Sequence, residues 1–207
     1  RIPDYFEEMG KKHSPSYMWI GCADARITAD RIVNVAQGDM FVARNIANLV
    51  VNTDMNMMST VFYAVEHLEV EHIIVCGHYD CGGVKAALTN RDHGPPLENW
   101  LRNIRDVRRL HYEELEAITD PLKKQRRLVE LNVVEQCMNL FKTGVVQKRR
   151  VFTSGNKDFA FTQPRVHAVV YDPAEGVMKN LKVDFAGILS SYADIYNLYR
   201  KEDADPE

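Results

Sequence analysis

The chain has 207 residues, 45% hydrophobic and 27% charged, with a formal net charge of −3 and a pI near 6.2. That length buries a full core without disulfide staples, so one domain over residues 1–207 is expected, and collagen-like, low-complexity and disordered classes are excluded. The mildly acidic balance gives no long-range pull toward nucleic acid or anionic membranes, no run approaches the roughly 18 apolar residues of a spanning helix, and basic runs such as Lys148-Arg149-Arg150 read as solvated surface.

Residues 1–16 read as the remnant of an N-terminal arm. Tyr17-Met18-Trp19-Ile20-Gly21 is a short apolar run closed by glycine, which fits a buried strand delivering Cys22 into a loop. Met40 to Ala43 gives a second strand, and apolar residues at Val61, Phe62, Ala64, Val65 and Leu68 give a helix over about 59–68. Glu71 to Gly77 is a third, β-branched strand that releases His78 to Cys81 into a loop before a helix from about Gly83. From Pro95 to about Lys142 the pattern is helical, with Pro121 placed for a helix start and the Lys123-Lys124 and Arg126-Arg127 pairs on a wet face. Arg165–Tyr171 and Val177–Phe185 read as two strands joined by the turn Asp172 to Gly176, and Ile188–Tyr199 as a helix before a frayed tail at 201–207.

Strands alternating with helices predict an α/β fold: a mainly parallel central sheet flanked by helices, with an antiparallel edge strand. In such sheets ligands sit beyond the carboxyl ends of the strands, where the loops carrying Cys22 and His78-Tyr79-Asp80-Cys81 both emerge. The four cysteines Cys22, Cys76, Cys81 and Cys137 suit metal binding or burial in a reducing compartment better than disulfides. Taken alone, His78-x-x-Cys81 fits a buried thiol beside a hydrogen-bonded histidine as well as a metal. Cys22 arriving from an equivalent strand end, and Gly77, Gly82 and Gly83 around the pair, shift the balance toward a zinc site with three protein donors and an open fourth position.

From Trp19 to about Leu181 the sequence resembles the β-class carbonic anhydrases. The resemblance is carried by Cys22-Ala-Asp24-Ala-Arg26, Gly38-Asp-Met-Phe41-Val-Ala-Arg44-Asn45-Ile-Ala-Asn48, Tyr63-Ala-Val, and Val70-Glu-His-Ile-Ile-Val-Cys-Gly-His78-Tyr-Asp-Cys81-Gly-Gly. It implies reversible hydration of carbon dioxide to bicarbonate and a proton, with Zn2+ held by Cys22, His78 and Cys81. It makes Asp24, paired with Arg26, the gate on the open position and the fourth ligand of a closed state. Phe41, Ile46 and Tyr63, with Gly82 and Gly83, become walls of the substrate pocket. A bicarbonate-regulated, type II-like subclass is implied by Trp19, Arg44 and Tyr171, which match the contacts of its second anion pocket. Relatives are dimers or assemblies of dimers, so a homodimer or tetramer is expected, with no nucleic acid and no membrane insertion.

The pattern departs from the family at His13, where plant-type members carry glutamine, and at Ser154 to Pro164, which is longer than in bacterial relatives. Two other functions share the framework: a carbonyl sulfide or carbon disulfide hydrolase, separable by comparing substrates, and a catalytically silent zinc domain that senses bicarbonate, against which Asp24 and Arg26 argue. The expected compartment is the cytoplasm, or a chloroplast or mitochondrial matrix if a transit peptide ahead of Arg1 has been removed.

Overall fold

The structure is a computed structural model that describes residues 4–11 and 13–199, so the 201–207 tail lies outside the described residues. After the short helix α1 (Tyr5–Lys11), strands β1 (Tyr17–Cys22), β2 (Met40–Asn45), β3 (His72–His78), β4 (Arg165–Asp172) and β5 (Val177–Asn180) form one sheet in the order β2-β1-β3-β4-β5. The pairs β2·β1, β1·β3 and β3·β4 are parallel, and only β4·β5 is antiparallel, which is the α/β sheet with an antiparallel edge that the sequence pattern predicts.

Strands β1 and β3 read as unbroken apolar runs because both of their faces are covered. On one face Met18, Ile20, Ile73, Val75, Ala168 and Val170 join a large core with the long helix α7 (Pro121–Phe141). Gly77 allows that helix its close approach: a Cβ there would come within 2.6 Å of Val133 and 3.2 Å of Val129. On the other face Trp19, Ile27, Ala29, Ile74, Cys76 and Val169 make a smaller cluster, partly roofed by α2 (Ala29–Val33). The indole of Trp19 fills the space where a side chain at position 21 would stand, so Gly21 is required by packing.

Several boundaries differ from the periodicity reading. Helix α3 (Met55–Phe62) begins earlier than expected because Asp54 caps it, accepting from the Asn56 N–H, and Tyr63–His67 then widens to a π-turn. The helix expected from Gly83 is α4 (Gly82–Leu88), and the long helical stretch divides into α5 (Leu97–Leu110), α6 (Tyr112–Glu116) and α7. Asp120 accepts from the Leu122 and Lys123 N–H groups, and Pro121 occupies the first turn of α7 as anticipated. Helix α8 (Gly144–Thr153) follows; then β5 stops at Asn180, because the Asn180 side chain accepts from the Lys182 N–H and Lys182 turns left-handed. The last expected helix is two short ones, α9 (Phe185–Ser191) and α10 (Ala193–Tyr196).

One reading of surface charge is corrected. Arg149 pairs with Glu69 at 3.1 Å and lies over the Phe159 ring, and Arg150 donates to the Pro164 carbonyl, so neither is solvated. Arg126 and Arg127 lie on the wet face as expected, 40% and 38% exposed, and there pair with Asp172 at 2.7 Å and with Glu114 and Glu130. Among the described residues, no helix is long and apolar enough to cross a membrane.

Candidate metal centre and active site

Cys22 ends β1, His78 ends β3, and Cys81 immediately precedes α4, so neighbouring parallel strands bring the three to one point. They are 6%, 0% and 1% exposed, and their ligating atoms lie within 4.8 Å of one another. The two sulfurs are 4.0 Å apart. Two thiolates at about 2.3 Å from a tetrahedral ion stand roughly 3.8 Å apart, so the spacing fits a metal with little adjustment.

The imidazole is prepared for the same role. Its Nδ1 bonds the Tyr79 carbonyl at 3.0 Å, which places the proton on Nδ1 and leaves a lone pair on Nε2. That Nε2 is buried and without a hydrogen-bond partner, a cost that a metal ligand recovers on coordination. Tyr79 is itself fixed: its N–H donates to the Tyr171 carbonyl, its hydroxyl to Glu130 at 2.7 Å, and Arg126 lies 4.2 Å from its ring.

The thiols divide one charge between them. A hydrogen bond from Cys81 pulls Cys22 well below the usual thiol range, while that same bond and burial push Cys81 well above it. Without a cation the pair therefore carries one proton and one negative charge at neutral pH. The Ala47 N–H also points at the Cys22 sulfur, 3.4 Å away. Cys76 and Cys137 are buried thiols whose pKa burial raises, and they take no part in the centre.

Asp24 and Arg26 form a two-pronged ion pair, Nε to Oδ1 at 3.0 Å and Nη2 to Oδ2 at 2.7 Å, reinforced by the Arg26 backbone N–H to Oδ1 at 2.9 Å. These bonds hold the Asp24 carboxyl well below the usual carboxylate range. Its Oδ2 stands 3.8 Å from His78 Nε2, at the edge of the ligand set but committed to the guanidinium. Arg26 also reaches the second loop, with Nη2 bonding the Asp80 carbonyl at 3.3 Å and Nη1 lying 3.5 Å from the Asp80 carboxylate.

The turn beside Cys22 is strained and braced from a distance. Ala47 and Asn48 both adopt positive φ, 65° and 50°, a conformation that disfavours residues with a Cβ. Asn45 clasps Leu49 through its N–H and its carbonyl, both at 2.8 Å. From α7, Asn132 donates to the Ala47 carbonyl, Gln136 accepts from the Val50 N–H, and Asn139 donates to the Val50 carbonyl. Sequence reasoning missed this row. Its only signal is three amides at positions 132, 136 and 139, one stripe of an otherwise apolar helix face.

The other expected site residues fall in two groups. Phe41 and Tyr63 face each other at 5.9 Å, and Ile46 lies against Gly83, where a Cβ would come within 2.8 Å of it; Gly82 touches nothing within 4 Å of its own Cβ position. Ile46 and Tyr63 are 41% and 45% exposed, so in a single chain these walls open outward. Trp19, Arg44 and Tyr171 occupy the second face of the sheet. Trp19 is fully buried with its indole N–H unpartnered, and Arg44 donates to the backbone carbonyls of Cys22 and Asp24.

Residues 17–178 match the family model described as carbonic anhydrase. A carbonic anhydrase of Emericella nidulans is 48% identical over 196 residues, covering 95% of this chain and 82% of that protein. A tetrameric β-carbonic anhydrase of Sordaria macrospora superposes with a TM-score of 0.80 at 36% identity, covering 88% of each chain. The Coccomyxa β-carbonic anhydrase in complex with acetazolamide gives 0.80 at 35% identity, over 93% of this chain and 83% of that one. Sheet topology, the buried Cys-His-Cys cluster and these likenesses agree, and the chain belongs to the β-class carbonic anhydrase family.

Proposed function

We propose that the chain hydrates carbon dioxide reversibly to bicarbonate and a proton, with zinc held by Cys22, His78 and Cys81 and one position open for water. The carrying observation is the buried set of two sulfurs and one orphaned imidazole nitrogen, with a tethered carboxylate 3.8 Å from that nitrogen. Two soft thiolates and an imidazole suit zinc among the available divalent ions. When bound, zinc supplies a Lewis acid that makes water nucleophilic at moderate pH.

The residues divide the remaining work. Two thiolates offset most of the ion's charge, so less acidification is expected than from three neutral ligands, and activity rises toward alkaline pH. Asp24 stays anionic because Arg26 holds it, so it orients the attacking water by accepting its hydrogen bond, and the released proton passes to buffer. Phe41, Ile46 and Tyr63 offer apolar walls to a small linear substrate. The exposure of Ile46 and Tyr63 suits completion by a second chain, in a homodimer or a tetramer.

We read Trp19, Arg44 and Tyr171 as a bicarbonate pocket that regulates the site. The unpartnered indole N–H is a ready donor, and Arg44 ties down the backbone that carries Asp24. An anion that drew Arg44 away would free that segment and loosen the Asp24–Arg26 fork, leaving Asp24 available as a fourth ligand in a closed state.

Stopped-flow hydration with parallel metal analysis tests the whole reading. Asp24→Asn should retain zinc and lose about 10²–10⁴-fold in kcat/KM. Absence of hydration at alkaline pH by the zinc-loaded chain overturns the function. Unchanged bicarbonate inhibition in Arg44→Ala overturns the regulatory pocket alone.

A further inference from the structure

Two more imidazoles meet on the second face of the sheet, at the end of β3 opposite His78 and about 20 Å from it along the strand. His72 opens β3, and His167 lies on β4 opposite Ile74, diagonal to it. Their nitrogens, His72 Nδ1 and His167 Nε2, are 3.1 Å apart. The His72 ring is sandwiched, stacked on Tyr17 at 5.4 Å and 17° and on Phe161 at 5.2 Å and 18°. The pair opens into a groove of about 270 Å³ lined also by Ile74, Val169, Met178 and Asn180.

We propose that His72 and His167 form a second metal site, for a late first-row divalent ion such as Ni2+, Cu2+ or Zn2+, with water completing its coordination from the groove. Two imidazole nitrogens at about 2.0–2.1 Å from one ion, at angles between 90° and 110°, stand roughly 2.9–3.4 Å apart. The observed spacing falls within that range. A simple N–H···N hydrogen bond uses the same spacing, so the test must separate the two.

Three features favour an ion. Imidazole is a strong ligand for these metals, and the sandwich fixes the His72 ring before any ion arrives, which removes an ordering cost. Burial lowers the affinity of both rings for protons, with His72 and Arg165 acting in the same sense on His167 and Glu71 opposing Arg165 at His72, so both favour the neutral form that ligates; the Arg165 charge also works against the ion and limits its affinity. The groove is open enough for the waters a two-histidine site needs.

The proposal also gives the segment 154–164 a task. Thr153 Oγ1 accepts from the Gln163 N–H and donates to its carbonyl, and Arg150 bonds the Pro164 carbonyl. These bonds hold Phe161 in place over His72, while Arg165 lies 4.5 Å from the outer ring.

Isothermal titration of the zinc-loaded protein with Ni2+ tests this site, because thiolates retain zinc against nickel. One Ni2+ per chain is expected, with affinity weakened at least tenfold in His72→Ala and in His167→Ala and unchanged in His93→Ala. His167→Gln, which keeps bulk and polarity, serves if the alanine variant does not fold. Absence of Ni2+ binding to the wild type, or unaltered binding in a folded His167 variant, overturns the site and leaves a hydrogen-bonded pair. Neither residue belongs to the catalytic centre, so hydration by these variants reports separately on the proposed function.

Discussion

The shared proton between Cys22 and Cys81 makes a countable prediction for metal binding. Two ordinary thiols, with pKa near 8.5, hold almost two protons at pH 7 and surrender both to a metal they ligate. Here the hydrogen bond between the sulfurs pulls Cys22 down toward the thiolate and pushes Cys81 up, so the pair shares one proton. The Nδ1 bond to the Tyr79 carbonyl turns the Nε2 of His78 toward the same point. From its two thiols the apo-protein should therefore release close to one proton on binding zinc at pH 7, rather than two. Calorimetric titration in buffers of different ionisation enthalpy measures that number as the slope of observed heat against buffer heat. The retained Cys81 proton also gives a pH dependence: because it must leave for the sulfur to ligate, affinity rises with pH through neutrality. A slope near two at pH 7 would refute the shared-proton description.

Other outcomes follow from packing. Gly77→Ala forces a methyl against Val133 and Val129, so it should destabilise by about 1–3 kcal/mol and lower the melting temperature by several degrees. Gln136→Leu leaves the buried Val50 N–H without its acceptor; a loss of about 1–3 kcal/mol is expected by chemical denaturation, with hydration falling more than metal content. Tyr79→Phe removes only the bond to Glu130 and should leave zinc affinity within a few-fold of wild type, whereas Arg126→Ala, which also releases Asp172 and the ring face, should weaken it further. Competition with a chromophoric chelator checks both.

The centre was legible because its signals are local. Cys22 and His78 each follow a short apolar run that ends in glycine, and parallel strands bring such ends together. The bracing row on α7 was not legible, because Asn132, Gln136 and Asn139 look like surface amides until the Ala47–Val50 turn is placed against them, some 85 residues distant in sequence. Helices α1, α2 and α8 were missed for a different reason. They are short or polar, and contacts rather than periodicity hold them. Charge misled in the same way, since Arg149 reads as solvated until its stacking partner Phe159 is known.

That long-range brace also bears on the order of events at the ribosome. All three residues of the Cys-His-Cys cluster have been synthesised by residue 81, yet the turn whose Ala47 N–H faces the Cys22 sulfur is held by amides that emerge more than fifty residues later. At about 5–20 residues per second, several seconds separate the ligands from their support. A nascent chain carrying both thiols but lacking α7 presents an unfinished site to any metal or oxidant it meets. If the cluster takes zinc as proposed, truncated products ending before α7 should bind it more weakly than the full chain.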